Sequence, residues 1–373
     1  MDAAPEVKDG RTGSGISRRW VLVGPILFLY MYGYMVSYFV ITEYTNNYWK
    51  NKKLTEANLV NNVTAADSKC DVNASDPVYV AESKGTSIAS EYIVYYSLAQ
   101  GVPAVASSLI LGSYTDALGR RFLLGIGIIG TTVRLVLSMV IIYFEANLLY
   151  LIGACVIEGL TGQYTTALQA CYAYISDVTS THHRTYGMAF VVAHLALALT
   201  VSNYLAGFLI QTFSFLVAIS SSAGILVVSF LVMIIFLPES YPPEKRLKSR
   251  SLTVMLKNSV SFFVENDAQN NRWKYQLLFA AYSLSEFGFI GRLGVETLFE
   301  LAHPFCWSPS KIGVYASVRS IVIAVFGVGM VGVYRKFLSD MALTMLSTAS
   351  YAAGFLLQAI ASTDTIMYIG MKS

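Results

Sequence analysis

Long apolar stretches recur along the whole chain, and they constrain its fold more than any other feature. A helix needs about 20 mostly apolar residues to cross a bilayer. Nine such stretches begin near Trp20, Ile88, Phe122, Leu148, Thr185, Phe213, Tyr275, Ser308 and Asp340, and a tenth begins near Thr365. Because 55% of the 373 residues are hydrophobic and 13% are charged, the composition excludes a soluble protein. We therefore predict an all-α polytopic protein whose partner is the lipid bilayer.

Basic residues indicate which side of the membrane each loop faces. Four of them precede the first stretch and place the N-terminus in the cytoplasm by the positive-inside rule: Lys8, Arg11, Arg18 and Arg19. The loops at 120–121, 182–184, 245–250 and 335–336 fall on the same side. The net charge of +3 is small and gives no indication of nucleic-acid binding. Both the plasma membrane and a lysosomal membrane fit this topology, and the oligomeric state is open.

The apolar stretches form two sets separated by a polar segment. We predict a cytoplasmic tail over 1–19, a six-helix bundle over 20–237, a central cytoplasmic loop over 238–274 and a partial second bundle over 275–373. The first bundle ends at Pro238, a typical helix stop. Six spans, a central loop and a second run of spans match the plan of a 6+6 transporter. The second half is predicted to be incomplete, with three or four spans.

The loop over 43–87 is predicted to face the outside or a lumen. Asn62 and Asn73 each begin a glycosylation sequon in it. Cys70 in this loop and Cys306 after the seventh span both lie on the oxidising side, so we predict a disulfide between them. Two free thiols are the alternative. The remaining cysteines, at positions 155 and 171, are interpreted as small packing residues of the fourth span.

The segment Gly112–Arg121 fills the short gap between the second and third spans. Glycines permit a sharp turn, and Arg120 and Arg121 fix it on the cytoplasmic side. Asp116 can pair with Arg120 four residues on, or accept backbone N–H groups at a helix start. The pattern G-x-x-x-D-x-x-G-R-R, in which Gly119 precedes the arginines, resembles the loop between spans 2 and 3 of the major facilitator superfamily. That resemblance implies a gating motif that holds the helix ends in one state and releases them in the other.

Further blocks are similar to one branch of that superfamily, solute carrier family 46. Asp177-Val-Thr after the fourth span, followed by Arg184-Thr185, is similar to the family's D-V-[ST] and R-T. The segment 297–307 resembles T-L-x-E-L…P-x-C-W, and Cys70 precedes a sequon as in the family. The paired loop cysteines are bonded in that family, which agrees with the disulfide predicted above.

The chain departs from the family at three places. Ala154 stands where many members have an arginine, and Val192 stands where the folate branch has an acidic residue. The family's coupling histidine in span 7 has no clear counterpart. The resemblance thus implies transport of an organic solute, whereas folate as the substrate and protons as the driving ion do not follow from it.

Charged residues inside the spans are the candidate substrate or proton sites. Each costs at least about 2.5–3.5 kcal/mol at the bilayer centre and needs a partner or a water-filled cavity. Arg134 in span 3 and Glu158 in span 4 can pair, either as a proton or substrate-anion site or as an ion pair that locks the bundle. His194 in span 5 is either a proton-coupling group or a hydrogen-bonded packing residue. The second half adds three candidates, Glu286, Arg292 and Arg319, of which Arg292 can pair with Glu296 four residues on.

These features together predict a secondary-active transporter of a small organic solute, folate-like or another organic anion, that works by alternating access. Coupling to protons is one option, and no other cofactor or metal is expected. A non-transporting truncated isoform or a membrane receptor of the same fold is the alternative. An enzyme is disfavoured because the sequence has no H-E-x-x-H, no G-x-S-x-G and no phosphate-binding glycine loop.

Overall fold

The computed structural model describes residues 21–59, 76–180, 184–241, 254, 261, 272–301, 305, 307, 309–322, 325, 331–334 and 336–370. Within these ranges the chain is helical apart from short turns, and they contain no strand. Several predictions fall outside them: the tail over 1–19, the sequons at Asn62 and Asn73, the bridge between Cys70 and Cys306, and most of the loop over 238–274.

Seven helices occupy the first half of the chain. They are α1 (Val23–Glu56), α2 (Pro77–Leu118), α3 (Arg120–Tyr143), α4 (Leu149–Leu160), α5 (Gln163–Val178), α6 (Arg184–Thr212) and α7 (Phe215–Phe236). The second half contains α8 (Arg272–Leu301), α9 (Pro309–Val322), α10 (Val331–Tyr334), α11 (Asp340–Ala359) and α12 (Asp364–Gly370). In the described part of the chain, five helices are long and apolar enough to cross a membrane: α1, α2, α3, residues Tyr186–Thr212 of α6, and α7.

The fourth span is divided, although the sequence predicted one continuous stretch from Leu148. It is built from α4 and α5, which have 12 and 16 residues. Between them the backbone turns through positive φ, 77° at Gly162 and 44° at Gln163. The search for apolar stretches of about 20 residues did not reveal this break, because it does not detect a local turn of the backbone inside such a stretch.

The first two helices extend well beyond the thickness of a bilayer. With 34 and 42 residues at 1.5 Å per residue, α1 and α2 are about 51 and 63 Å long, against a hydrocarbon layer of about 30 Å. Within the predicted loop over 43–87, the described residues 43–56 and 77–87 are therefore helical. The Asp76 side chain accepts a hydrogen bond from Val78 N at 2.9 Å and caps α2, which begins with Pro77. The Trp49 and Tyr92 rings lie 5.2 Å apart between the two helices.

Gly85 is the point of closest approach between α1 and α2. A Cβ atom at Gly85 would lie 2.8 Å from Lys50 Cα and 2.9 Å from the Trp49 carbonyl oxygen, both backbone atoms that cannot move aside alone. We expect Gly85→Ala to destabilise the protein by about 1–3 kcal/mol because it forces the helices apart. Thermal unfolding of the purified protein would measure this effect.

Gly101 of α2 provides the matched control for that substitution. A Cβ atom at Gly101 meets no other atom within 4 Å, so Gly101→Ala is expected to be neutral or to stabilise by up to about 1 kcal/mol through helix propensity. Equal melting temperatures for the two variants would contradict the close packing of α1 on α2.

Candidate functional site

Two polar clusters lie within the first bundle. The Arg120 cluster comprises Thr115, Asp116, Arg120, Asp177, Glu239 and Ser240, and lies where α2 meets α3. The Arg134 cluster comprises Ser37, Gln100, Thr131, Arg134 and Glu158, and lies between α1, α2, α3 and α4. Both contain charges that are shielded from solvent, and each joins several helices.

A single residue separates α2 from α3 and sets the geometry of the Arg120 cluster. Gly119 has φ of 99°, a conformation that L side chains rarely adopt, and its N–H donates to Thr115 O at 3.0 Å. The chain therefore reverses within one residue, and Arg120 becomes the first residue of α3. The sharp turn predicted from the motif is confirmed.

The Arg120 guanidinium joins three helices. Its Nη1 lies 2.6 Å from Asp116 Oδ1 and donates to Thr115 Oγ1 at 2.8 Å, both on α2. Its Nε donates to Asp177 Oδ2 on α5 at 2.9 Å. The pairing of Asp116 with Arg120 predicted from their spacing is confirmed. Asp177, selected from the block after the fourth span, is brought into the same cluster.

Glu239 completes this cluster, although the sequence predicted only a helix stop at the neighbouring Pro238. Its Oε1 accepts hydrogen bonds from the backbone N–H of Arg120 at 2.9 Å and of Ser240 at 3.1 Å. A carboxylate at the start of α3 is stabilised by the helix dipole, and the sequence had offered Asp116 for this role. Ser240 Oγ also donates to Asp177 Oδ2 at 3.1 Å. The detectable signal was an acid directly after a span that ends on the same side as Arg120.

Three other motif residues contact the protein outside the ion-pair network. Gly112 packs against the Gln169 side chain of α5. Arg121 is partly exposed and donates to the carbonyl of Ile234. Arg184 is exposed and donates to Ser176 O at 3.5 Å. Arg120 and Arg121 are therefore adjacent in sequence and different in their surroundings.

The Arg134 cluster is built around a buried ion pair. Arg134 Nε lies 2.5 Å from Glu158 Oε2, and the two side chains are 4% and 0% exposed. The pairing of the third and fourth spans predicted from these residues is confirmed. A buried pair of this kind survives only when its remaining polar atoms also find partners.

Neutral side chains from neighbouring helices supply partners for both Glu158 oxygens and for Arg134 Nη2. Thr131 Oγ1 donates to Glu158 Oε1 at 2.6 Å, and Gln100 Nε2 donates to Glu158 Oε2 at 2.6 Å. Arg134 Nη2 donates to Ser37 Oγ at 2.7 Å. The cluster thus connects α1, α2, α3 and α4. Sequence reasoning missed Ser37, Gln100 and Thr131, because uncharged polar residues are common in spans and carry no distinctive spacing.

A small crevice leads to this cluster between α1 and α2. Its volume is about 20 Å³, and its lining includes Thr42, Ser97, Gln100 and Arg134. Tyr38 lies at its mouth and is 48% exposed. A space of this size holds about one water molecule, so the ion pair is not completely enclosed on the side of α1 and α2.

The remaining candidates have other surroundings. His194 Nδ1 lies 2.8 Å from Phe190 O, and the two rings pack 4.3 Å apart. This arrangement is the one expected of a hydrogen-bonded packing residue, the second of the two alternatives given for His194. Arg319 of α9 forms an ion pair with Glu296 of α8, the residue for which the sequence had offered Arg292. Glu286 and Arg292 lie on α8, and their side chains fall outside the described residues.

Comparison with known proteins identifies the family. The family model of the Major Facilitator Superfamily matches residues 26–371. The chain belongs to this superfamily. The predicted all-α transporter architecture is therefore confirmed, and the family and its solved members are transporters rather than enzymes. The protein is an integral membrane protein.

Curated relatives support the assignment to solute carrier family 46. The chain is 25% identical to the proton-coupled folate transporter of Bos taurus over 352 residues, which are 93% of this chain and 73% of that protein. It is 24% identical to the human lysosomal proton-coupled steroid conjugate and bile acid symporter SLC46A3 over 310 residues, which are 81% of this chain and 66% of that one. The chain thus spans about two thirds to three quarters of the length of these relatives.

Two solved structures share the fold at low sequence identity. The human organic anion transporter MFSD10 aligns with a TM-score of 0.63 and 16% identity, covering 95% of this chain and 81% of that one. The xylose transporter XylE from E. coli, in a partially occluded inward open conformation, aligns with a TM-score of 0.53 and 13% identity, covering 95% and 82%.

Proposed function

We propose that the protein is a secondary-active transporter of a small organic anion that works by alternating access and is coupled to protons. The observation that carries the proposal is the Arg120 cluster, in which one guanidinium and one carboxylate fasten α2, α3, α5 and the segment after α7 at one end of the bundle. A bundle held in this way can move as one body against the second half, as alternating access requires. The relatives named above, a folate transporter and a symporter of steroid conjugates and bile acids, support an organic anion as the solute.

The contact between the two halves supports the same mechanism. Ser317 Oγ of α9 donates to Thr200 O of α6 at 3.1 Å, and Gly313 of α9 faces Asn203 of the same helix. Thr200 lies about 24 Å along α6 from its start at Arg184, taking 1.5 Å per residue. This contact is therefore remote from the end where the Arg120 cluster lies. The two halves therefore meet near the middle of α6, and carriers of this kind bind their solute near the membrane midplane between the two halves.

The orientation and the membrane follow as parts of the proposal. With the N-terminus in the cytoplasm, the Arg120 cluster lies on the cytoplasmic side, and the hairpin of α1 and α2 projects to the outside or into a lumen. A lysosomal membrane and the plasma membrane both provide an acidic or acidifiable compartment on that side.

Uptake into cells or vesicles tests the proposal. We expect a panel of radiolabelled organic anions, including folate and a bile acid, to contain at least one that enters several-fold faster at an outside pH of 5.5 than at 7.5. A downhill proton gradient drives a coupled anion inward, which gives this direction. Equal uptake at both pH values would reject proton coupling. No uptake of any anion by protein present in the membrane would reject the transport assignment for this class of solute.

A further inference from the structure

We propose that Arg134 is the site where the solute's anionic group and the Glu158 carboxylate replace each other, so that one proton and one negative charge enter the cluster together. This inference rests on the proposed function and specifies its coupling site. In the structure Arg134 holds Glu158 and lines the crevice between α1 and α2. A guanidinium placed in this way has one side towards the internal carboxylate and another towards the crevice.

Charge balance makes the exchange coupled. A buried guanidinium without a counterion is strongly unfavourable, so the cluster is stable only near neutrality. One neutral state is the ionised Glu158 on Arg134, as observed. The other has a proton on Glu158 Oε2 and an external anion on Arg134. A proton without the anion leaves an uncompensated positive charge, and an anion without the proton places two negative charges on one guanidinium.

The groups around Glu158 allow it to accept a proton. From the packed helices it faces Arg134 on α3, Tyr30 and Tyr34 on α1 and Cys155 on its own helix. Among these described neighbours Arg134 alone carries a charge at neutral pH. An external anion on Arg134 would therefore replace the one charged partner that Glu158 has among these neighbours.

Gln100 fits both protonation states. Its amide nitrogen donates to Glu158 Oε2 at 2.6 Å in the observed state. After rotation of the amide by half a turn, its oxygen can accept a hydrogen bond from the protonated Oε2. Thr131 can keep donating to Oε1 in both states, because that oxygen remains an acceptor. Gln100 also lines the crevice, so it lies on the route by which a proton arrives.

A charge-sensitive labelling experiment tests the exchange without any solute. Ser97 is exposed at the crevice, and Ser97→Cys would be made in a background in which all four native cysteines are replaced. The probes are a sulfonate-bearing and a trimethylammonium-bearing methanethiosulfonate. Replacing Glu158 with glutamine mimics the protonated acid. We expect the ratio of anionic to cationic labelling to rise by about tenfold or more, because the substitution leaves one uncompensated positive charge in the cluster, and that charge acts in opposite directions on the two probes.

Two further variants make this result decisive. The double variant Arg134→Gln/Glu158→Gln should return the ratio to the wild-type value, since the crevice is neutral again. Glu145→Gln removes an exposed carboxylate at the turn between α3 and α4 and should change the ratio less than twofold. An unchanged ratio in Glu158→Gln, or the same rise in Glu145→Gln, would overturn the proposal.

Transport in vesicles tests the coupling itself, with labelled folate and labelled taurocholate as probes. We expect Glu158→Gln to exchange the transported anion at equal rates at pH 5.5 and 7.5, and to lose accumulation driven by a pH gradient. Retention of that accumulation would overturn the proposal. If the wild-type protein transports neither probe, the proposed function fails for these anions, and the labelling ratio alone decides whether Arg134 becomes an anion site.

Discussion

An Arg134→Met variant is expected to lose about 3–5 kcal/mol of stability, because it leaves the Glu158 carboxylate buried without a counterion. Glu158 is 0% exposed, and its other partners, Thr131 and Gln100, are neutral donors that cannot balance a full charge. For a chain of 373 residues, the loss corresponds to a fall in melting temperature of roughly 4–6 °C. Thermal unfolding of the purified protein, followed by intrinsic fluorescence, measures it.

The control for this prediction removes both charges. Arg134→Met/Glu158→Leu replaces the pair with apolar side chains of similar volume, and such replacements of buried pairs are often neutral or stabilising. We expect the double variant to recover most of the lost stability. A double variant as unstable as the single one would indicate that packing volume, and not charge, holds α3 against α4.

The second large effect is expected from Arg120→Ala, which should slow transport by at least about tenfold. The substitution removes one guanidinium that contacts Asp116, Thr115 and Asp177 at 2.6 to 2.9 Å. Without it, α2 and α5 lose their common partner, and two carboxylates lie near each other without a cation. The helix ends then no longer move as a single body. The initial rate of anion uptake, normalised to the protein in the membrane, measures the effect.

Arg121→Ala is the matched control, since it deletes the same side chain at the neighbouring position. Arg121 is partly exposed and contacts one backbone carbonyl, that of Ile234. We expect its loss to reduce transport less than threefold. Equal effects of the two substitutions would show that the positive charge of the loop matters, and that the ion-pair network does not. An intact rate in Arg120→Ala would remove the cluster from the transport mechanism.

The sequence predicted several features of both clusters because they depend on local spacing. Asp116 and Arg120 are four residues apart, and the turn at Gly119 keeps them on adjacent surfaces, so their pairing could be expected from the motif alone. Arg134 and Glu158 could be paired because two charges at membrane depth on consecutive spans have few other partners. In each case the energetic penalty of an unpaired charge favoured the pairing, although the helix start remained an alternative partner for Asp116.

Other contacts could not be predicted in this way. Glu239 caps α3 from a position 119 residues beyond Arg120 in the chain, and Gln100 reaches Glu158 across 58 residues. Such contacts depend on how each helix is rotated about its axis, which periodicity in an almost uniformly apolar span does not indicate. For the same reason the ion pair between Glu296 and Arg319 of the next helix could not be predicted. The spacing of four residues had indicated Arg292 as the partner of Glu296.

The sequence by itself determined that this chain crosses the membrane repeatedly, which residues form its charged turn, and which buried charges need partners. These properties follow from the cost of placing charge and bare backbone in hydrocarbon, and that cost acts on each segment separately. The tertiary structure alone decided that the fourth span is divided at Gly162, that Glu239 caps α3, and that Arg134 lies between Glu158 and the crevice of α1 and α2. Those features require several helices to pack at once, so no single segment carries the information that specifies them.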